Sequence, residues 1–214
     1  MKIKAIGFDL DNTLYDEQLY IDQAYMAIAL KIENDFRLNR EIVFEAFSNI
    51  RNKKGDKNLF QDFFHEFGIN CTREYILDEL VPLYHSVDFK VELYPNVVKI
   101  LLLLKEAGIK LGMVTNGGKK TQQNKINLLN IDHLFDTIII TGEYFAKENW
   151  KPSELPFKMF CDNLNVKPSE SLFIGDSIKN DMQGALNSGL HFLLVKKECI
   201  DYDMIYEKIL DKYL

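Results

Sequence analysis

Short apolar runs alternate with helix-period segments along most of the chain. Five runs are nearly continuous in apolar residues, at positions 4–8, 111–114, 137–141, 171–174 and 191–195. Such runs are typical of strands covered on both faces. The intervening segments have the apolar spacing of helices, at about 95–107, 119–130, 154–163 and 178–188. This alternation predicts an α/β fold with a doubly wound parallel sheet.

One long stretch interrupts the alternation. Residues 15 to 90 contain no convincing strand pattern, and four helix-period segments fill the interval, at 18–34, 40–51, 58–66 and 73–85. We therefore predict a core formed by residues 1–15 and 90–214, and an inserted all-helical domain formed by residues 16–89. Six phenylalanines recur at helical spacing in the insert and are expected to form its core: Phe44, Phe47, Phe60, Phe63, Phe64 and Phe67.

The insert also contains a basic stretch, residues 51–57. A solvated loop is the simpler interpretation of such a charge run. The alternative is a specificity loop that meets an anionic group of a substrate.

Composition narrows the functions open to this fold. The 214 residues include 26 Lys and Arg against 32 Asp and Glu, a formal net charge of −6. An acidic balance does not provide the basic surface that binds duplex nucleic acid or anionic membranes. No apolar segment is long enough to span a bilayer, and the first residues lack a signal-peptide pattern, so we expect a cytoplasmic location. The three cysteines are too scattered for a disulfide framework or a zinc knuckle.

Polar side chains are concentrated where the predicted strands end, which is where open α/β sheets bind ligands. The residues at these ends are Asp9, Asp11 and Thr13, then Thr115 and Asn116, then Asp176 with Asp181 nearby. Carboxylates from separate strands repel one another unless a cation lies between them. Hard oxygen ligands suit Mg²⁺, which often binds a substrate phosphate as well. The sequence therefore predicts a Mg²⁺ site at this edge.

The same side chains suit phosphoryl transfer. One carboxylate can attack phosphorus to form an aspartyl-phosphate, and a second can protonate the leaving alkoxide and later deprotonate water. Thr115 and Asn116, followed by Gly117 at a predicted helix start, offer hydrogen-bond donors for the phosphoryl oxygens. Lys151 can neutralise charge on the same oxygens.

Single members of this set have plainer interpretations. Asp9 could be a polar strand end, and Asp11 could belong to a turn or a helix cap. Asp181 could be a first-turn charge favoured by the helix dipole. The joint occurrence of Asp9, Thr115 and Asp176 disfavours these interpretations for the set as a whole.

Four motifs, in order, resemble those of the haloacid dehalogenase-like (HAD) superfamily. They are Asp9-Leu10-Asp11-Asn12-Thr13, Thr115-Asn116, Lys151-Pro152 and Gly175-Asp176-Ser177 with Asp181. The resemblance spans residues 9 to about 190, and the helical insert is similar to the C1-type cap of that superfamily. It implies a HAD-like Rossmannoid core with a helical cap. The third motif contains a rival, Lys147, but Lys151 is preferred because Pro152 and Phe157 keep the family's spacing.

The resemblance also implies catalytic roles. Asp9 would be the nucleophile, and Asp11 the general acid and base. Thr115 would bind the phosphoryl group, together with Asn116 and Gly117. Lys151 would stabilise the charge of that group.

A metal site is implied in the same way. Asp9, Asp176 and the backbone carbonyl of Asp11 would hold Mg²⁺. Asp181 would support the site from behind these ligands or, as an alternative, ligate directly.

The function implied is that of a Mg²⁺-dependent phosphatase, a phosphoric monoester hydrolase acting on a small phosphorylated metabolite through an aspartyl-phosphate on Asp9. Three alternatives stay open. A 2-haloacid dehalogenase of similar fold would need no leaving-group acid such as Asp11, and a phosphomutase would return the phosphoryl group to a sugar. The third is a catalytically idle relative that serves as a binding module.

Overall fold

The structure is a computed structural model that describes residues 2–213. The chain divides into two compact units. A sheet unit comprises Met1–Glu17 and Lys90–Leu214, and a helical unit comprises Gln18–Phe89. Each unit has its own buried apolar cluster.

Within residues 2–213 the sheet unit contains a five-stranded sheet. Its strands are β1 (Ala5–Phe8), β2 (Lys110–Thr115), β3 (Thr137–Ile140), β4 (Ser171–Gly175) and β5 (His191–Leu194). All neighbouring pairs are parallel, in the order β3-β2-β1-β4-β5. The predicted parallel α/β fold is confirmed, and each predicted strand agrees with an observed one to within a residue at either end.

Five α-helices begin in the first 85 residues of the described chain. They are α1 (Glu17–Phe36), α2 (Arg40–Lys54), α3 (Leu59–Glu66), α4 (Arg73–Tyr75) and α5 (Val81–His85), with a π-type turn at Ile76–Leu80 between the last two. Phe47, Phe63 and Phe64 are buried in the core of the helical unit, and the other three predicted phenylalanines pack against that core. The predicted phenylalanine core is therefore confirmed.

The basic stretch of the helical unit differs from its prediction as a loop. Residues 51–54 form the last turn of α2, where cationic side chains oppose the negative end of the helix dipole. Gly55, at φ +78°, then ends the helix, and its N–H donates to the Arg51 carbonyl over 2.8 Å. Arg51 pairs with Asp56 at 2.9 Å, and Lys54 pairs with Glu66 at 2.9 Å.

The α-helices of the sheet unit lie between and after its strands. In the described chain they are α6 (Val97–Glu106), α7 (Lys119–Leu129), α8 (Thr141–Tyr144), α9 (Glu154–Leu164), α10 (Gln183–Asn187) and α11 (Tyr202–Tyr213). The helix predicted at 178–188 begins instead with a π-type turn, Ile178–Met182, before α10. Within residues 2–213 no helix is both long and apolar enough to cross a bilayer.

Helix α11 was not predicted. Its buried side chains are Tyr202, Ile205, Ile209 and Tyr213, which recur every three or four residues. This helical period is present in the sequence, so the helix could have been predicted from it.

Candidate active site

Three neighbouring strands bring the predicted acidic residues to one edge of the sheet. In the sheet register, Phe8 at the end of β1 pairs with Met113 of β2 and with Ile174 of β4. The residues after these positions therefore meet at a common carboxyl edge. A pocket of about 260 Å³ lies there, lined by Asp9, Asp11, Asn12, Glu17, Asn116, Lys151, Asp176, Ser177, Asn180 and Asp181.

Lys151 lines this pocket and is only 4% exposed. Its Nζ donates to Asp9 Oδ1 over 2.6 Å, to Asp181 Oδ1 over 2.7 Å and to the Val114 carbonyl over 2.8 Å. Burial lowers the pKa of Lys151, but the charges of Asp181 and Asp9 outweigh it and leave the pKa above its ordinary value. The rival Lys147 is exposed and lies 5.8 Å over the Trp150 ring. The structure thus places Lys151 in the pocket and Lys147 outside it.

Asp9 is the best-buried carboxylate at the end of β1, at 7% exposed. Burial raises the pKa of Asp9 well above its ordinary value, the Lys151 ammonium lowers it, and the charges of Asp181 and Asp11 raise it further. The site therefore holds more negative charge than Lys151 alone balances, which favours an added cation.

Both carboxylate oxygens of Asp181 accept hydrogen bonds within the protein. It is 1% exposed, and while Oδ1 accepts from Lys151, Oδ2 accepts the Ser177 N–H over 3.0 Å. Gly175 makes this position possible, because a Cβ atom there would lie 2.5 Å from Asp181 Oδ2. The close packing of strand end and carboxylate therefore requires glycine.

Asn116 holds the loop of Lys151. Its Oδ1 accepts the Lys151 N–H over 3.0 Å, and its Nδ2 donates to the Lys151 carbonyl over 2.9 Å. Asn116 was predicted to bind the phosphoryl group, and the structure shows its side-chain amide engaged with the backbone of the catalytic lysine candidate.

Thr115 and Gly117 also make contacts within the protein. The Thr115 hydroxyl is buried and accepts from Gln122 Nε2 over 2.6 Å. The Gly117 N–H donates to Thr141 Oγ1 over 3.4 Å. In the described chain, neither Thr115 nor Gly117 lines the 260 Å³ pocket.

The carboxylates form a set that suits a hard cation. Oxygens of Asp9, Asp176 and Asp181 lie within 4.8 Å of one another. Burial, and after it the charge of Asp181, raises the pKa of Asp176 to about 6. Oxygen-only donors of this kind match the preference of Mg²⁺. Because both oxygens of Asp181 already accept hydrogen bonds, Asp9 and Asp176 are the better-placed ligands.

Asp11 is surrounded by residues that the sequence did not indicate. Its Oδ1 accepts from Lys125 Nζ over 2.8 Å and from the Tyr15 hydroxyl over 2.6 Å, and its Oδ2 accepts from Gln122 Nε2 over 2.9 Å. A lysine on an amphipathic helix is normally expected at the surface. The one available signal was the three-residue spacing of Gln122 and Lys125, which places them on one face of α7.

A family model described as haloacid dehalogenase-like hydrolase matches residues 6–195 of the chain. The chain belongs to this family. The superfamily predicted from the four motifs is therefore confirmed, while assignment of the helical unit as a C1-type cap stays a prediction.

Other HAD hydrolases are similar over most of their length. A protein of Methanocaldococcus jannaschii named glyceraldehyde 3-phosphate phosphatase is 33% identical, over 88% of this chain and 82% of its own. The N-acylneuraminate-9-phosphatase of Mus musculus is 26% identical, over 88% of this chain and 80% of its own. A HAD phosphatase structure from Thermococcus onnurineus has a TM-score of 0.65 and 25% identity, covering 93% of this chain and 89% of that one.

Proposed function

We propose that this HAD hydrolase is a Mg²⁺-dependent phosphatase that acts on a small phosphorylated metabolite through an aspartyl-phosphate on Asp9. The observation that carries the proposal is the buried Lys151 ammonium, which bridges Asp9 and Asp181 in the lining of the acidic pocket. A nucleophilic carboxylate with an adjacent fixed cation is suited to a transferring phosphoryl group, whose charge must be neutralised. The phosphatase names of its relatives support the same class of reaction.

The first step transfers the phosphoryl group to the protein. A carboxylate oxygen of Asp9 attacks phosphorus, and the bond from phosphorus to the ester oxygen breaks. The leaving alkoxide takes a proton from Asp11, and Lys151 neutralises charge on the phosphoryl oxygens. Asn116 contributes by fixing the backbone of Lys151 at both its N–H and its carbonyl.

The second step regenerates Asp9. A water molecule attacks the aspartyl-phosphate, the bond from phosphorus to Asp9 breaks, and the proton of the water passes to Asp11. Inorganic phosphate leaves, and Asp11 is protonated again for the next turnover.

Residues of the acidic edge would hold the metal. Asp9, Asp176 and the Asp11 carbonyl are the proposed ligands, with Asp181 behind them. When bound, Mg²⁺ would supply positive charge to the phosphoryl oxygens.

The proposed substrate class is a phosphomonoester of a small polar metabolite. Two similar proteins are named for glyceraldehyde 3-phosphate and for N-acylneuraminate 9-phosphate. Both names describe phosphate esters of hydroxylated compounds, so esters of this kind come first in an activity screen.

Phosphate release across a panel of phosphorylated metabolites, with Mg²⁺ and with a chelator, tests the proposal. Asp9→Asn should lower kcat by at least about 1,000-fold while thermal unfolding stays close to that of the wild type. Asp211→Asn is the matched control, because Asp211 is an exposed carboxylate on α11. Substantial residual activity in Asp9→Asn would overturn the nucleophile. Halide release from 2-haloacids without Mg²⁺, or an isomerised sugar phosphate in place of free phosphate, would contradict the proposed reaction.

A further inference from the structure

Lys125 is a buried lysine that the proposed chemistry does not use. It lies on α7, is 3% exposed, and its Nζ contacts Asp11 Oδ1 at 2.8 Å and Glu17 Oε1 at 3.0 Å. A buried ammonium is unfavourable unless charged partners compensate it. The buried position of Lys125 therefore depends on its ion pairs with Asp11 and Glu17, and Asp11 is the proposed general acid and base.

Gln122 lies one turn earlier on the same face of α7 and is 2% exposed. Its Nε2 lies 2.9 Å from Asp11 Oδ2 and 2.6 Å from Thr115 Oγ1. Residues three apart on a helix project to the same side, so Gln122 and Lys125 reach different oxygens of one carboxylate. Together they restrict rotation of the Asp11 side chain.

The Tyr15 hydroxyl donates to Asp11 Oδ1 over 2.6 Å, which adds a third donor. These donors match the acceptor-only character of a carboxylate, which is the form that removes a proton from water. The side-chain amide of Gln122 further links the orientation of Asp11 to that of Thr115 at the end of β2.

On the basis of the proposed function, we propose that Lys125, assisted by Gln122, is the positioning residue that holds Asp11 for hydrolysis of the aspartyl-phosphate. In that step water oxygen bonds to phosphorus, the bond from phosphorus to Asp9 breaks, and Asp11 receives the proton of the water. Lys125 touches neither substrate nor water in this account. It acts through the orientation of Asp11.

The test uses the full-length protein with Mg²⁺ and p-nitrophenyl phosphate, whose leaving group needs little protonation. Lys125→Met should lower kcat about 10- to 100-fold and lower KM in proportion, while kcat/KM changes by less than about 3-fold. The aspartyl-phosphate then accumulates, and stopped-flow absorbance should show a burst of one p-nitrophenolate for each active site. Lys125→Arg, which keeps the charge and the donors, should recover most of kcat.

Two comparisons separate positioning from a structural role. On an Asp11→Asn background, Lys125→Met should cost less than about a further 2-fold in kcat, because residues that act through one another are not additive. Lys119→Met is the control on the same helix, since Lys119 is exposed and pairs with Glu143, and its kinetics should match the wild type. If Lys125→Met does not fold, Gln122→Leu removes the other α7 donor to Asp11 without removing a charge and should also show the burst.

Distinct results would overturn the inference and the proposed function. Equal losses of kcat and kcat/KM without a burst, or a fully additive loss on the Asp11→Asn background, would overturn the positioning role alone. Absence of Mg²⁺-dependent phosphate release by the wild-type protein from every ester would overturn the proposed function itself.

Discussion

Substitution of Gly175 by alanine tests the steric arrangement behind the candidate site. A Cβ atom on residue 175 would lie 2.5 Å from Oδ2, 2.7 Å from Cγ and 2.8 Å from Cβ of Asp181. Non-bonded heavy atoms are most stable about 3.5–4.0 Å apart, so Asp181 would have to move by about 1 Å. Rotation of the carboxylate alone does not relieve the contact, because the Cβ atom of Asp181 is also too close.

That displacement would separate Asp181 from Lys151, now 2.7 Å away, and from the Ser177 N–H, now 3.0 Å away. Loss of one partner of a buried ion pair costs about 3–5 kcal/mol. The lower entropy of an unfolded alanine variant offsets about 0.4–1 kcal/mol. We expect Gly175→Ala to lower the free energy of unfolding by about 2–4 kcal/mol and to lower kcat at least about 10-fold, because Lys151 loses an anchor.

Urea unfolding followed by circular dichroism measures the first effect, with an unchanged m-value as the sign of an unchanged unfolding reaction. Gly118→Ala is the control: residue 118 has φ −68°, and a Cβ atom there meets nothing within 4 Å. It should cost no more than about 1 kcal/mol. A loss below about 1 kcal/mol in Gly175→Ala, with kcat unchanged, would refute the steric reasoning.

Two further predictions concern stability. Burial, and next the charge of Asp181, raises the pKa of Asp176 to about 6. Ionised Asp176 therefore lowers the free energy of unfolding above that pH. This loss of stability is absent below the pKa of the unfolded state, about 3.9. Asp176→Asn in the presence of a chelator should therefore raise the free energy of unfolding by about 1–2 kcal/mol at pH 7.5, after allowance for partial exposure, and by less than about 0.5 kcal/mol at pH 4. An equal effect at both pH values would contradict the cause. Phe47 is buried in the helical unit with ring centroids of Tyr25 and Phe63 at 5.4 and 4.8 Å, so Phe47→Ala should cost about 3–5 kcal/mol in urea unfolding. Retention of wild-type stability would show that this cluster does not support the unit.

The fold was predictable because its three central strands, β2, β1 and β4, are almost entirely buried. A strand such as β4, with all five residues buried, must be nearly continuous in apolar residues, and that pattern is visible without coordinates. Strand ends then indicate where Asp9 and Asp176 meet, because parallel strands share one carboxyl edge. The π-type turn at Ile178–Met182 was not predictable, since its period differs little from that of an α-helix over five residues.

The surroundings of Asp11 were not predictable for a different reason. Burial of Lys125 depends on two carboxylates that are distant in sequence and become its partners only after α7 packs against the sheet edge. Local pattern favours an exposed lysine at such a position. The pairing of Asn116 with the backbone of Lys151 is likewise a tertiary contact, and an asparagine after a strand is equally typical of a turn.

The side chain of Asn116 makes with the backbone of Lys151 the pair of hydrogen bonds that two backbone residues make in an antiparallel β-sheet. One acceptor and one donor of the carboxamide face the N–H and the carbonyl of a single residue, which is how two directly paired residues of an antiparallel sheet exchange two hydrogen bonds. The Asn116 side chain thus adds one pair of sheet-like hydrogen bonds directly after the end of β2, where the backbone no longer forms the sheet. These two hydrogen bonds fix the backbone of Lys151 relative to the end of β2, although Lys151 lies in a loop. Aspartate at position 116 has nearly the same shape but no N–H to donate to the Lys151 carbonyl, so it could not make both hydrogen bonds.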